Sequence, residues 1–295
     1  RKRYADFLPG HRLSREILAT LIANDLVNRM GPSFVRRIQV DTDADIVTIA
    51  RAYTVARQLC QAGPLWKTIE GLDNELPADV QVLLLFEVSR SLRHASYWLI
   101  ERFGDDLSID SVVGRLKDNM AAVYSRTGSI MSKAALERHE NAAQVYIEKG
   151  VPEKLANQMS ALLLTRPALD MSDLAASYKP DVIDLARLYA ATNDKLGIYW
   201  LHVAAEDLKW KDRWQAVARG KLRDDFFMMR RELAEQILRR RGRHEIPEAV
   251  DRWLAARSTE VERFKQLIEV MTLRPEIDFA TLSVAARDFR DLIST

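Results

Sequence analysis

Five histidines, one cysteine and three close carboxylate pairs are the residues of this chain best equipped for chemistry, and their spacings argue against most of it. His11, His94, His139, His202 and His244 have no second histidine within a helical turn, so the paired ligands of a zinc-protease helix are missing. Di-iron bundles set a glutamate three residues before histidine, but those positions hold Leu8, Ser91, Leu136, Tyr199 and Arg241. His202 and Glu206 stand one turn apart and could share a face as ligands, although an interhelical hydrogen bond is the stronger expectation. Cys60, between Leu59 and Gln61, reads as a buried thiol rather than a nucleophile. Asp105-Asp106, Asp224-Asp225, and Glu260 with Glu262 could do acid–base work only in a pocket that splits their pKa values. Asp105-Asp106 is expected to cap a helix, and Asp224-Asp225, beside Arg223, to form ordinary ion pairs. Neither GxGxxG nor GxxxxGK[ST] occurs, so no loop is built to gather backbone N–H groups around phosphate. No catalytic, cofactor-binding or metal residue is assigned.

Charge is uneven. The net charge is +2, yet from Lys209 to Arg243 twelve Lys or Arg face five Asp or Glu, a local +7 that leaves −5 elsewhere. Phosphate contact is one reading of this stretch. The plainer one has Arg239-Arg240-Arg241 complementing a helix dipole, with Gly242 as the cap and no aromatic interleaving. Near the start, Thr20, Asn24 and Asn28 lie four apart and form one polar row, either a solvated face or a contact face for another domain.

The elements that would hold these residues are helical. Hydrophobic residues are 47% and charged residues 29% of 295, enough for a sizeable core in one large or two moderate domains. Glycine, at 11 residues, is too sparse for a fold rich in β-turns. Apolar residues recur at steps of three and four, as in Leu18, Leu21, Ile22, Leu26 and Met30, predicted to form one apolar stripe that Gly31-Pro32 ends. The spacing predicts helices near 12–30, 33–41, 45–62, 64–73, 77–103, 108–124, 132–149, 152–165, 172–179, 181–196, 198–208, 212–241, 246–257, 258–273 and 279–292. All nine prolines, Pro9, Pro32, Pro64, Pro77, Pro152, Pro167, Pro180, Pro247 and Pro275, read as punctuation between them. The most regular stretch, Asp212 to Arg241, carries Trp214, Val217, Leu222, Phe226, Met229, Leu233 and Ile237 and should span the body. Expected, then, is an all-α, multi-helix array with short loops, one long spanning helix and no substantial β-sheet. It covers residues 1–295 as one domain, with a subdivision at 1–126 and 127–295 suggested by the glycine interruptions near Gly104 and Gly128. A single cysteine and the lack of a secretory leader point to the cytoplasm. No apolar run approaches the ~20 residues of a membrane span. Arg1-Lys2-Arg3-Tyr4 resembles no natural start, so the chain is expected to continue a longer reading frame.

The stretch HRLSREILATLIANDLVNRMGPSFVRRIQVDTDADIVTIARAYTVAR, residues 11–57, closely resembles the start of the C-terminal helical region of the large bacterial NAD-specific glutamate dehydrogenases. Lys211-Asp212-Arg213-Trp214-Gln215 and Leu222-Arg223-Asp224-Asp225 are similar to a later signature of that family, with a looser match through the Trp66 and Trp98 helices. The resemblance implies a parent enzyme that converts L-glutamate and NAD to 2-oxoglutarate, ammonium and NADH. Its dinucleotide fold and catalytic residues lie upstream, so no cofactor is expected in this region and NAD only in the full-length enzyme. Implied partners are the catalytic domain of the same chain and further copies in a homo-oligomer, without nucleic acid or membrane. The role expected is assembly or regulation. The alternative is a free-standing helical interaction or nucleic-acid-binding protein using the basic 209–243 helix.

Overall fold

The structure, a computed structural model, describes residues 10–274 and 276–294; the expectations attached to Arg1–Tyr4, Pro9 and Pro275 lie outside them. Every regular element among the described residues is helical, sixteen α-helices and two short 3-10 turns, as the apolar spacing predicts. The chain forms two compact units, Arg1–Asp118 with Tyr146–Arg166, and Asn119–Val145 with Pro167–Thr295. Their boundaries fall inside helices and not at the glycine interruptions. Gly104 ends a helix at φ +50°, and Gly128 lies within the short helix Thr127–Ile130.

In the first unit, α1 (Ser14–Met30), α2 (Phe34–Thr42), α3 (Ile46–Leu59), α4 (Ala62–Glu70) and α5 (Ala78–Phe103) follow one another closely. Asp45 starts α3 by accepting the Thr48 N–H at 2.8 Å, and this bond holds its carboxyl below the usual carboxylate range. Ile49, Ala52, Tyr53, Ala56 and Leu59 then make one buried face, packed along α5 through Leu84, Val88, Leu92 and Leu99. Each such aliphatic side chain contributes about 1.5–3 kcal/mol by leaving water. The predicted stripe of α1 is only half right. Leu26 and Met30 are buried, while Leu18 and Leu21 are exposed. Polar groups pin the covered side instead: Tyr53 Oη donates to Asp25 at 2.8 Å, Arg57 reaches Asp25 at 3.4 Å, and Arg29 pairs with Glu70 and lies 4.6 Å over the Trp66 ring.

α6 (Ile109–Ser125), α7 (Thr127–Ile130), α8 (Lys133–Glu148), α9 (Glu153–Ala161) and α10 (Thr165–Tyr178) follow. The second unit is completed by α11 (Val182–Leu196), α12 (Ile198–Asp207), α13 (Arg213–Arg240), α14 (Ile246–Ala255), α15 (Ser258–Thr272) and α16 (Phe279–Ser294). α13 is the long helix, 28 residues or roughly 42 Å. Asp212 accepts the Gln215 N–H, and the Gln215 side chain accepts from the Lys211 N–H just before the cap, both at 2.9 Å, an N-cap that explains why this helix begins where it does. Gly242, at φ +60°, stands just past its C-terminus as expected. Leu222, Phe226, Met229, Leu233 and Ile237 are buried, but Trp214 and Val217, predicted on the same stripe, are exposed, Trp214 by 79%. The first three residues of α13 are exposed, and Val217 in its second turn is exposed as well.

The prolines divide. Pro32, Pro77, Pro152 and Pro180 do separate helices, whereas Pro64, Pro167 and Pro247 sit in the first turns of α4, α10 and α14. There the N–H that proline lacks has no intrahelical acceptor, so the first turn accommodates it.

Candidate functional site

The residues singled out for chemistry are mostly engaged in holding helices. His202 is buried against Phe227, ring centroids 4.4 Å apart, and Glu206, its supposed co-ligand, instead accepts from Arg138 at 2.9 Å. Cys60 is buried at the end of α3, where its N–H bonds the Ala56 carbonyl. Asp105 and Asp106 lie in the 3-10 turn Gly104–Asp106 and cap nothing: α6 starts at Ile109. Asp224 pairs with Arg223 at 3.1 Å and Asp225 with Arg290 at 3.9 Å, as ordinary ion pairs. Glu262 receives Gln266 one turn on, and His244 stands 2.8 Å from Glu248 and 2.6 Å from Arg252. Among the described residues, no group of three or more His, Cys, Asp or Glu is placed to hold a metal ion, and no helix is long and apolar enough to cross a membrane.

The basic stretch separates into two parts. In its middle, Arg231 turns inward and reaches Asp170 at 3.3 Å, Asp173 at 2.5 Å and Glu235 at 3.3 Å, while near the C-terminus Arg239 stays exposed and donates to Tyr178 Oη at 2.9 Å. Its N-terminal part, Lys209 to Lys221, stays outside with Trp210 and Trp214 exposed between the cations. Aromatic residues do interleave the charge here, contrary to the expectation, with Arg219 5.4 Å over the Trp210 ring.

The Arg231 cluster is what sequence reasoning missed. Asp170 and Asp173 are buried on α10, one turn apart, and face a guanidinium 58 to 61 residues away in sequence. Burial works against the Arg231 charge, but Asp170 and Asp173 outweigh it and raise the arginine above its ordinary value. The adjacent Arg230 is treated oppositely. It is buried with its Cζ 4.3 Å over the Tyr189 ring, its Nε has no hydrogen-bond partner among the described residues, and burial lowers its pKa. Burial also pushes the Tyr189 phenol far up, and Tyr189 Oη and Asn193 Oδ1, one turn apart on α11, are likewise without a hydrogen bond. The available signal was acidic residues at i, i+3 inside an apolar run, Leu169-Asp170-Met171-Ser172-Asp173-Leu174. The chemistry of this cluster is charge compensation in a helical interior; nothing reactive converges there with a nucleophile or a general base.

A family described as "Glutamate dehydrogenase, C-terminal" matches residues 1–291. The NAD-specific glutamate dehydrogenase of Pseudomonas aeruginosa is 30% identical over 295 residues, that of Halomonas elongata 32% over 293, and that of Mycobacterium tuberculosis 28% over 296. Each alignment covers 99 to 100% of this chain but only 18% of the relative.

Proposed function

The chain belongs to the glutamate dehydrogenase C-terminal family, and from that premise we propose that residues 1–295 are the helical assembly and regulatory part of an NAD-dependent glutamate dehydrogenase. In the full-length protein, L-glutamate, NAD and water would give 2-oxoglutarate, ammonium and NADH. The observation that carries this reading is a match running the length of this chain while spanning under a fifth of each relative.

The local chemistry supports a non-catalytic share of that work. NAD does not fit these residues: the described helices have no strand and glycine-rich turn to feed a phosphate to a helix N-terminus. Buried Asp170 and Asp173 face Arg231, and the exposed Glu206 and half-buried Asp224 pair with nearby cations. No reaction step is therefore assigned to this region, which by itself should turn over nothing. Its partners are the catalytic portion of the same chain and other copies in a homo-oligomer of the cytoplasm, with no effector assigned.

Glutamate-dependent NAD reduction and the number of subunits per particle, measured for the full reading frame and for one stopped before residue 1, test the proposal. A change in subunit number alone makes the region an assembly device. Lost turnover with a folded catalytic portion makes it a positioning or regulatory one, and no change in either overturns the reading. A second reading rests on exposed Trp210 and Trp214 among Lys209, Lys211 and Arg213, which could stack bases and contact phosphates. Tight, salt-sensitive binding of nucleic acid, weakened by Trp214→Ala, would favour it; that Arg230 and Arg231 are turned inward counts against it.

A further inference from the structure

We propose that the uncovered side of α1 is a docking face for the catalytic portion of the same chain, on the side N-terminal to residue 1. Ile17, Thr20, Leu21, Asn24, Val27 and Asn28 fall within an arc of roughly 120° at 3.6 residues per turn. Leu21 and Val27 are 42% and 48% exposed, and Thr20, Asn24 and Asn28 are exposed beside them. None of the six is charged, in a chain where 29% of residues are. Of the four charges of α1, Asp25 and Arg29 turn toward Tyr53, Arg57, Trp66 and Glu70, and the exposed Arg15 and Glu16 lie in its first turn outside this arc.

An exposed helix side of apolar groups and amides, emptied of charge, has the composition of an interface core rather than of a solvated surface. It offers no cation to a phosphate backbone. It also lacks the aromatic and basic residues of a helix lying on a lipid surface. One helix side is small against the ~800 Å² per partner of a stable interface between separate molecules, which disfavours a second copy. A contact within one chain needs less area, because its effective concentration is already high. More than four-fifths of each relative lies outside the matched region, and the matched family is C-terminal, so most of such a chain would arrive at α1 from its N-terminal side.

The inference rests on the proposed function for its partner but fails separately from it. In the full-length enzyme with Asn24→Cys, maleimide labelling at position 24, read by peptide mass, should be about tenfold slower than in denaturant, and adding Leu21→Lys should restore the fast rate. Equal rates in native enzyme and denaturant overturn the docking, as does protection that disappears on dilution, which would assign the face to a second copy. Protection unaffected by Leu21→Lys also overturns it. If position 24 is protected while stopping the chain before residue 1 changes neither subunit number nor turnover, the docking stands and the assembly and regulatory reading falls. If the stop changes subunit number but position 24 labels fast, the reverse holds.

Discussion

Helices α1 and α13 are both incompletely covered, but along different directions. α1 is covered on one side, by Leu26, Met30 and the polar pins of Asp25 and Arg29, and is open on the other. α13 is covered from Leu222 onward and open at its first two turns. The exposed parts differ in chemistry: the open side of α1 from Ile17 to Asn28 shows uncharged residues, whereas the start of α13 shows the Asp212 cap, Lys209, Lys211, Arg213 and two indoles. A charged end is at home in water. An uncharged side is the surface that a further part of the protein has reason to cover.

The covered part of α13 supplies the largest expected effect. Arg231→Met takes from the buried Asp170 and Asp173 the guanidinium they both face and should cost about 3–5 kcal/mol, read as a lower denaturant midpoint. Arg230→Met, one residue earlier, should be neutral or stabilising by about 1 kcal/mol, because its charge is buried without an ion-pair partner among the described residues. If the two substitutions cost the same, burial alone and not pairing governs this helix.

Next comes the close packing between α11 and α12. Gly197, at φ +69°, has Ile268 so near that a Cβ would stand 2.8 Å from its Cγ2. Gly197→Ala should therefore cost about 2 kcal/mol, from the strained backbone and the displaced Ile268 together. A cost below that of an ordinary surface change would show that α15 can yield at this point.

On the α1 side the anchor is Tyr53, whose phenol is pushed well above its ordinary value by burial first and then by the bond to Asp25. Because the folded value stands above that of an unfolded tyrosine, about 10, the protonated phenol's contribution is complete below that pH and is lost as pH climbs above it. Tyr53→Phe should lower stability by about 1–2 kcal/mol at pH 7 and flatten the fall in stability above about pH 10, followed by urea unfolding across that range. An unchanged alkaline slope would place the loss on the other raised phenols, Tyr97, which donates to Asp41 at 2.5 Å, Tyr146, Tyr189 and Tyr199.

How much of this was legible depends on whether the deciding partner was local. Helix class, the cap at Gly242 and the pairing of Asp224 with Arg223 rest on residues within one turn, and the sequence displays them directly. Arg231 with Asp170 and Asp173 was invisible because the partners lie about sixty residues apart, and a charge in a sequence carries no sign of what it will face. The α1 stripe failed for a related reason. Periodicity identifies a helix and its apolar positions, but Leu18 and Leu21 are apolar without being covered by the described residues. The interleaved indoles at 210 and 214 were present in the sequence, and only the exposure of the first turns of α13 separates them from a core stripe.

The smallest expected effect is the sharpest check on the contrast between the two helices. Trp214 is 79% exposed and makes no aromatic pair among the described residues, so Trp214→Ala should leave folding stability within about 0.5 kcal/mol. Its indole should emit at the wavelength of solvated tryptophan and be quenched by acrylamide, whereas Trp66, Trp98 and Trp253 are buried and shielded. In the full-length enzyme the same measurement separates the two surfaces. Trp214 should stay quenchable there if the start of α13 is a solvated end, while position 24 on α1 becomes protected. Loss of quenching at Trp214 in the longer protein would instead mean that the basic end of α13 is covered as well, by a partner whose surface must be acidic to meet Lys209, Lys211 and Arg213.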